Sequence, residues 1–177
     1  MAAVGIDFGY STLRVRIFRS KTDIDIIQHS VPVVAIDVNK ELFIGEDLSE
    51  ATSFETVILG IKRIIGRLEN DQVLIKQLED DSLKFNFDGA NLKIETNKQP
   101  LIDRISTEDL LAMIFEKIIK AAETYLSKFS SQKVDVKKAV ISFSSYFRHT
   151  QRVTVLNAAK IAGLQVLRLS NDTTAVA

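Results

Sequence analysis

A short apolar strand ending in a carboxylate and a glycine, then returning as a second alternating strand, opens this chain. The run is Val4-Gly5-Ile6-Asp7-Phe8-Gly9-Tyr10-Ser11-Thr12, followed by Leu13-Arg14-Val15-Arg16-Ile17-Phe18. The period of two puts Leu13, Val15 and Ile17 on one face of the returning strand. Gly9 is expected to allow a tight, sterically unusual backbone turn. The amides of Tyr10, Ser11 and Thr12 then face a concavity of the kind that holds anions. Asp7, at the strand end, is positioned to hold a hydrated magnesium ion through water. An ordinary hairpin turn has the same pattern, so this segment alone leaves both readings open.

At 177 residues the chain suffices for one good domain or two small lobes, and with 7 Gly and 2 Pro it has no linker or low-complexity stretch. A net charge of +0 gives no general field for nucleic acid or an acidic membrane. The basic groups Arg14, Arg16, Arg19 and Lys21, and Lys137-Lys138, lack interleaved aromatics and read as solvated faces. The absence of cysteine excludes disulfides, thiolate metal sites and a cysteine nucleophile. The N-terminus enters a strand without a basic or sustained apolar leader, and no apolar run approaches the length of a membrane span, so a cytoplasmic protein is expected. Asn171-Asp172-Thr173 matches the glycosylation triplet by chance on that reading. His29 and His149 have no companions at ligand spacing, and neither a glycine-rich dinucleotide loop, a P-loop nor a nucleophile elbow is present.

Alternation predicts further strands around Ile24 and Ile26, over 31–38 and over 42–44. From about Ser53 a helical period takes over, with Phe54, Val57, Ile58, Ile61, Ile64 and Ile65 on one face and Gly66 loosening its end. A short helix is expected over 71–78. Leu83, Phe85 and Phe87 then lead to an Asp88-Gly89 turn, with Leu92 and Ile94 returning. Ser106-Thr107-Glu108-Asp109 is a capping sequence ahead of the longest helix, whose face is Leu110, Leu111, Ile114, Ile118, Ala121, Ala122, Tyr125 and Leu126. Ala139-Val140-Ile141-Ser142-Phe143 reads as a core strand, 150–162 as a helix stopped by Gly163, and 166–169 as a final strand. Asn171 or Asp172 then caps a first helical turn, and a turn that short is unstable alone, so the chain is expected to be cut from a larger fold.

Four segments, in order, resemble the nucleotide-binding domain of the heat-shock protein 70 family. They are Val4-Gly5-Ile6-Asp7-Phe8-Gly9; Ile61-Lys62-Arg63-Ile64-Ile65-Gly66-Arg67; Ala139-Val140-Ile141-Ser142-Phe143-Ser144-Ser145-Tyr146-Phe147 with Gln151-Arg152; and Ile161-Ala162-Gly163-Leu164-Gln165-Val166-Leu167-Arg168-Leu169 with Asn171-Asp172-Thr173-Thr174-Ala175. The resemblance implies an α/β protein of the actin-like ATPase fold (a ribonuclease H-like β-sheet with helices), first lobe only. Residues 1–36 and 101–177 would form the core subdomain and 37–100 an inserted small α+β subdomain; the second lobe and the substrate-binding domain would be absent. The implied function is the N-terminal part of a molecular chaperone that binds ATP or ADP with magnesium. The full-length protein would meet unfolded client peptides and co-chaperones, with no nucleic acid or membrane partner.

The same resemblance makes Lys62 and Asp172 the catalytic residues, Gly9, Tyr10, Ser11 and Thr12 the phosphate turn, and Asp7 the residue near magnesium through water. Departures fall close to the chemistry. Tyr10 stands where the family has threonine, Asp172 where it has glutamate, Thr173 and Ser144 where it has proline, while the arginine that works with that second proline remains as Arg152. A carboxylate one methylene short is a misplacement of about 1 Å, enough to cost roughly 10²-fold in rate. Two alternatives therefore stand beside an active ATPase: a non-hydrolysing regulatory or ribosome-associated co-chaperone-like member, or an inactive fragment.

Overall fold

The computed structural model describes residues 2–9, 12–20, 23–30, 33–37, 42–44, 54–59, 61–67, 71, 85–88, 91–95, 100–131 and 133–176. Strand β1 (Ala2–Phe8) pairs antiparallel with β2 (Leu13–Ser20), and β2 with β3 (Asp23–Ser30). On its other side β1 runs parallel to β10 (Val136–Phe143), which runs parallel to β11 (Gln165–Asn171). The five-stranded order is β11-β10-β1-β2-β3. One face of this sheet is dry: Val4, Ile6, Phe8, Val15, Ile17 and Ile141 are all buried. Each such side chain contributes about 1.5–3 kcal/mol, which makes this layer the dominant favourable term.

Helix α1 (Thr107–Ser127) and helix α2 (His149–Ile161) pack against that layer. The side chain of Ser106 accepts from the Asp109 amide at 2.9 Å, the cap read from the sequence. Leu110, Leu111, Ile114, Ile118, Ala122 and Leu126 are buried as expected; Ala121 is exposed instead, and Phe115, outside the expected face, is fully buried. Thr154 on α2 donates to Glu108 Oε1 at 3.1 Å, tying the start of α1 to α2. Gly163 follows α2 at a φ of +80°, the left-handed stop expected of it. The last helical turn, α3 (Asp172–Val176), begins where β11 ends.

Two small antiparallel sheets occupy the middle of the chain. Strand β4 (Val33–Asp37) lies between β5 (Leu42–Ile44) and β6 (Phe54–Leu59), and β8 (Asn91–Glu95) lies between β7 (Phe85–Asp88) and β9 (Pro100–Ser106). The 85–94 hairpin is as predicted, although its Gly89 lies outside the described residues, as does the helix expected over 71–78 apart from Asp71.

The helix expected from Ser53 is a correction. Residues 54–59 are strand β6, paired with β4 from Val33↔Leu59 to Asp37↔Phe54, and the winding among the described residues starts at Ile61–Arg63, a 3-10 turn continued by hydrogen-bonded turns to Gly66. Aromatic and β-branched residues at 54, 57 and 58 fit a pleated strand, and a run this short satisfies either period. Pairing with β4, a contact made outside the segment, decides the outcome. Ile61, Ile64 and Ile65 are all buried, so the helical spacing holds for the turn alone. Strand β9 is a further difference from the sequence reading, because Leu101, Ile102 and Ile105 show no alternation.

Candidate functional site

The C-terminal ends of β1 and β10, the start of α3 and the 3-10 turn come together at one edge of the dry layer. Phe8, the last residue of β1, is 1% exposed and forms the floor. The ammonium of Lys62 lies over its ring, 4.4 Å from the centroid. Lys62 is itself only 4% exposed, and its Nζ has no hydrogen-bond partner among the described residues. Burial lowers its pKa from the ordinary 10.5 to about 8, while Asp7 and then Asp172 pull it back upward. A buried cation without a hydrogen bond is costly, and the ring face and two carboxylates offset only part of that cost.

Gly9 follows Phe8, the residue whose ring Lys62 covers. The reason for glycine differs from the sequence reading. Its φ is not in the left-handed region; instead, a Cβ there would stand 2.6 Å from the carbonyl oxygen of Thr12. Close approach of backbone to backbone, rather than an unusual dihedral, demands the missing side chain. Tyr10 and Ser11 lie outside the described residues; Thr12 leads into β2.

Asp7 is held from two sides. Ser142, opposite it on β10, donates its hydroxyl to Oδ1 at 2.8 Å. Arg14, opposite it on β2, brings Nη1 to 3.5 Å from Oδ2. Sequence reasoning assigns Arg14 to a solvated face and gives Ser142 no role. The signal for Arg14 is the hairpin: a return that pairs Phe8 with Leu13 sets Asp7 opposite Arg14. Arg16, by contrast, is exposed, as expected. A hydrated magnesium ion therefore reaches Asp7 only alongside a guanidinium, and among the described residues no three His, Cys, Asp or Glu gather as a metal site. This donor set suits a cation already built into the chain better than a divalent ion.

Asp172 opens α3 and accepts from the Thr173 amide at 2.8 Å. The turn between β10 and α2 begins at Ser144, whose carbonyl accepts from the Phe147 amide at 3.0 Å. Beside it Arg152 donates from Nε to the Phe147 carbonyl at 3.1 Å and lies over the Phe143 ring. Arg152 is thus fastened to the residues flanking Ser144.

At the far end of the Ile61–Arg67 segment, Gly66 adopts a φ of +62° against α2, where a Cβ would meet the Gln151 Cα at 2.6 Å. Arg67 pairs with Asp71 at 2.7 Å, and Arg148 reaches the same carboxylate at 3.7 Å. A cavity of about 390 Å³ beside Gly66 and Arg67 is lined by the starts of both long helices, including Glu108 and His149.

A family profile described as "Hsp70 protein" matches residues 3–177. This chain belongs to the Hsp70 family. The five-stranded sheet with its helices is accordingly the actin-like ATPase fold of an Hsp70 N-terminal lobe. Relatives include a heat shock cognate Hsp70 protein of Trypanosoma brucei brucei, 29% identical over 99% of this chain and 26% of that protein. Heat shock protein hsp88 of Neurospora crassa is 30% identical over 100% of this chain and 25% of that protein. Chaperone protein dnaK of Thalassiosira pseudonana is 29% identical over 97% of this chain and 28% of that protein. The chain thus spans little more than a quarter of the length of the curated relatives it matches. Hsp70 proteins are nucleotide-binding chaperones. No helix among the described residues is long and apolar enough to cross a membrane.

Proposed function

We propose that this chain is the N-terminal part of an Hsp70-like chaperone of the cytoplasm that binds ATP or ADP at the Phe8–Lys62 edge and couples it to protein folding. One observation carries the reading: a buried ammonium at Lys62, without a hydrogen-bond partner among the described residues, over the Phe8 ring and under the influence of two carboxylates, Asp7 and Asp172. A desolvated, fixed positive charge is what stabilises charge developing on a transferring phosphoryl group. In this reading Lys62 faces the phosphate, Gly9, Tyr10, Ser11 and Thr12 cradle it with backbone amides, and Asp172 helps orient the attacking water. Asp7 would be the residue nearest any magnesium that accompanies the phosphates, through water and alongside the Arg14 guanidinium, and that ion would supply charge neutralisation. The core subdomain is taken as 1–36 and 101–177 and the insertion as 37–100. Client peptides and co-chaperones are met by the full-length protein.

Tyr10 and Asp172 favour a second reading, a non-hydrolysing regulatory member, since both departures fall on the groups nearest the chemistry. Single-turnover ATP hydrolysis by the full-length protein separates the two. An ordinary family rate in the unmodified protein removes the regulatory reading. A rate that appears only with Tyr10→Thr and Asp172→Glu together supports it. Failure of the full-length protein to bind ATP under any condition leaves the inactive-fragment reading.

A further inference from the structure

We infer that Arg14 provides at Asp7 the positive charge that a divalent ion would otherwise bring, so that this edge holds nucleotide phosphate with little dependence on magnesium. The inference rests on the reading of the edge as a nucleotide site, and concerns which cation that site uses.

Four observations lead there. Asp7 and Arg14 are direct cross-strand partners on β1 and β2, so the guanidinium is delivered by the sheet rather than by a wandering loop. Ser142 fixes one carboxylate oxygen at 2.8 Å, which leaves the other oxygen to Arg14. The Arg14–Asp7 approach is long, at 3.5 Å, and the two side chains are 41% and 39% exposed, so most guanidinium donors remain unspent and open to solvent. Finally, Lys62 already places one ammonium at the same edge.

Among the described residues Arg14 stands by Asp7, and Asp7 and Asp172 both act on Lys62, so each carboxylate already has a protein cation near it before any metal enters. A phosphate chain entering beside Asp7 meets a planar fork whose geometry matches two phosphate oxygens. A hydrated divalent ion entering the same space meets that fork as a like charge. A nucleoside di- or triphosphate entering here meets a guanidinium in the place beside Asp7 where a divalent ion would otherwise stand. Asp7 acts here as a positioning residue: Ser142 holds it, and it in turn aims Arg14.

The test is titration of the full-length protein with ADP and with ATP, by calorimetry, in magnesium and in a chelator. The unmodified protein is expected to lose less than about tenfold in affinity when magnesium is removed. Arg14→Met is expected to lose about a hundredfold or more in affinity between magnesium and chelator, and its unfolding midpoint in denaturant reports that the fold survives. Arg14→Lys keeps a charge without the fork and is expected to fall between them. A hundredfold magnesium dependence in the unmodified protein, or a dependence that Arg14→Met leaves unaltered, overturns the role of Arg14 while the nucleotide site stands. No binding of either nucleotide in either condition sinks the nucleotide site itself, and this inference with it.

Discussion

Lys62 and Arg67 leave the same short segment and meet opposite fates. Arg67 ends on a carboxylate at 2.7 Å, beside a glycine pressed against the backbone of α2. Lys62 ends on an aromatic face with no hydrogen bond among the described residues. The Arg67 end has the marks of a joint, with a left-handed glycine, close packing and a directly paired charge, and only the Arg67 Nε is left buried without a hydrogen bond among the described residues. The Lys62 end leaves a charge poorly compensated, and that is a cost the fold carries for a reason other than stability. Local inconsistency of this kind is expected where a protein does chemistry.

Substitutions at the two ends should therefore separate stability from activity. The largest effect is expected at Gly66→Ala, which combines a φ of +62° with a Cβ 2.6 Å from Gln151 Cα. A loss of roughly 3 kcal/mol or more in denaturant unfolding is expected. An unchanged midpoint would remove the claim that this end is a joint. Next comes Lys62→Met, expected to cost about 10²- to 10³-fold in single-turnover hydrolysis by a full-length protein that turns over ATP. Its unfolding midpoint should hold or rise, because an apolar side chain replaces a buried charge. A rate that survives this change breaks the comparison at its active end.

pH sharpens the contrast. The pKa of Lys62 lies near 8 in the folded protein and near 10.5 unfolded, so between these values the unfolded chain binds more protons. Stability contributed by this site therefore rises as pH climbs from about 8 to about 10.5, by about 3 kcal/mol at most, and Lys62→Met abolishes the rise. Hydrolysis moves the other way, falling above about pH 8 as the ammonium is lost. Smallest is Arg67→Met, expected to lower stability by about 1–2 kcal/mol and leave the rate of hydrolysis nearly unchanged. A rate loss matching that of Lys62→Met would mean that the two ends are not separate.

Long periodic segments with strong ends are legible from their residues alone. The capped helix from Ser106, the strand through Ile141 and the helix stopped by Gly163 each carry their own local instructions. Residues 54–59 do not, because Phe54, Val57 and Ile58 suit a helix or a strand equally and β4 makes the choice from a distance. The candidate site is legible in part for a similar reason. Lys62 and Asp172 can be picked out through family resemblance, but nothing local announces that Lys62 is buried without a hydrogen bond. Arg14 looks like one basic residue among several, since its meaning lies in what stands across the hairpin. Gly9 stands out for a reason the structure replaces: the Thr12 carbonyl, three residues on, takes the space a side chain needs.

The parallel pairing of β1 with β10 also bears on how this protein is made. The hydrogen bond between Asp7 and Ser142 joins residues 135 positions apart. At about 5–20 residues per second, a ribosome needs roughly 7–27 s to deliver the partner strand after the first has emerged. Throughout that interval the N-terminal β1–β3 meander leaves the backbone N–H and C=O groups along one edge of β1 unpaired, open to any strand that arrives first. Late closure of such a distant contact slows folding, so a nascent member of this chaperone family is itself a chain that benefits from being held.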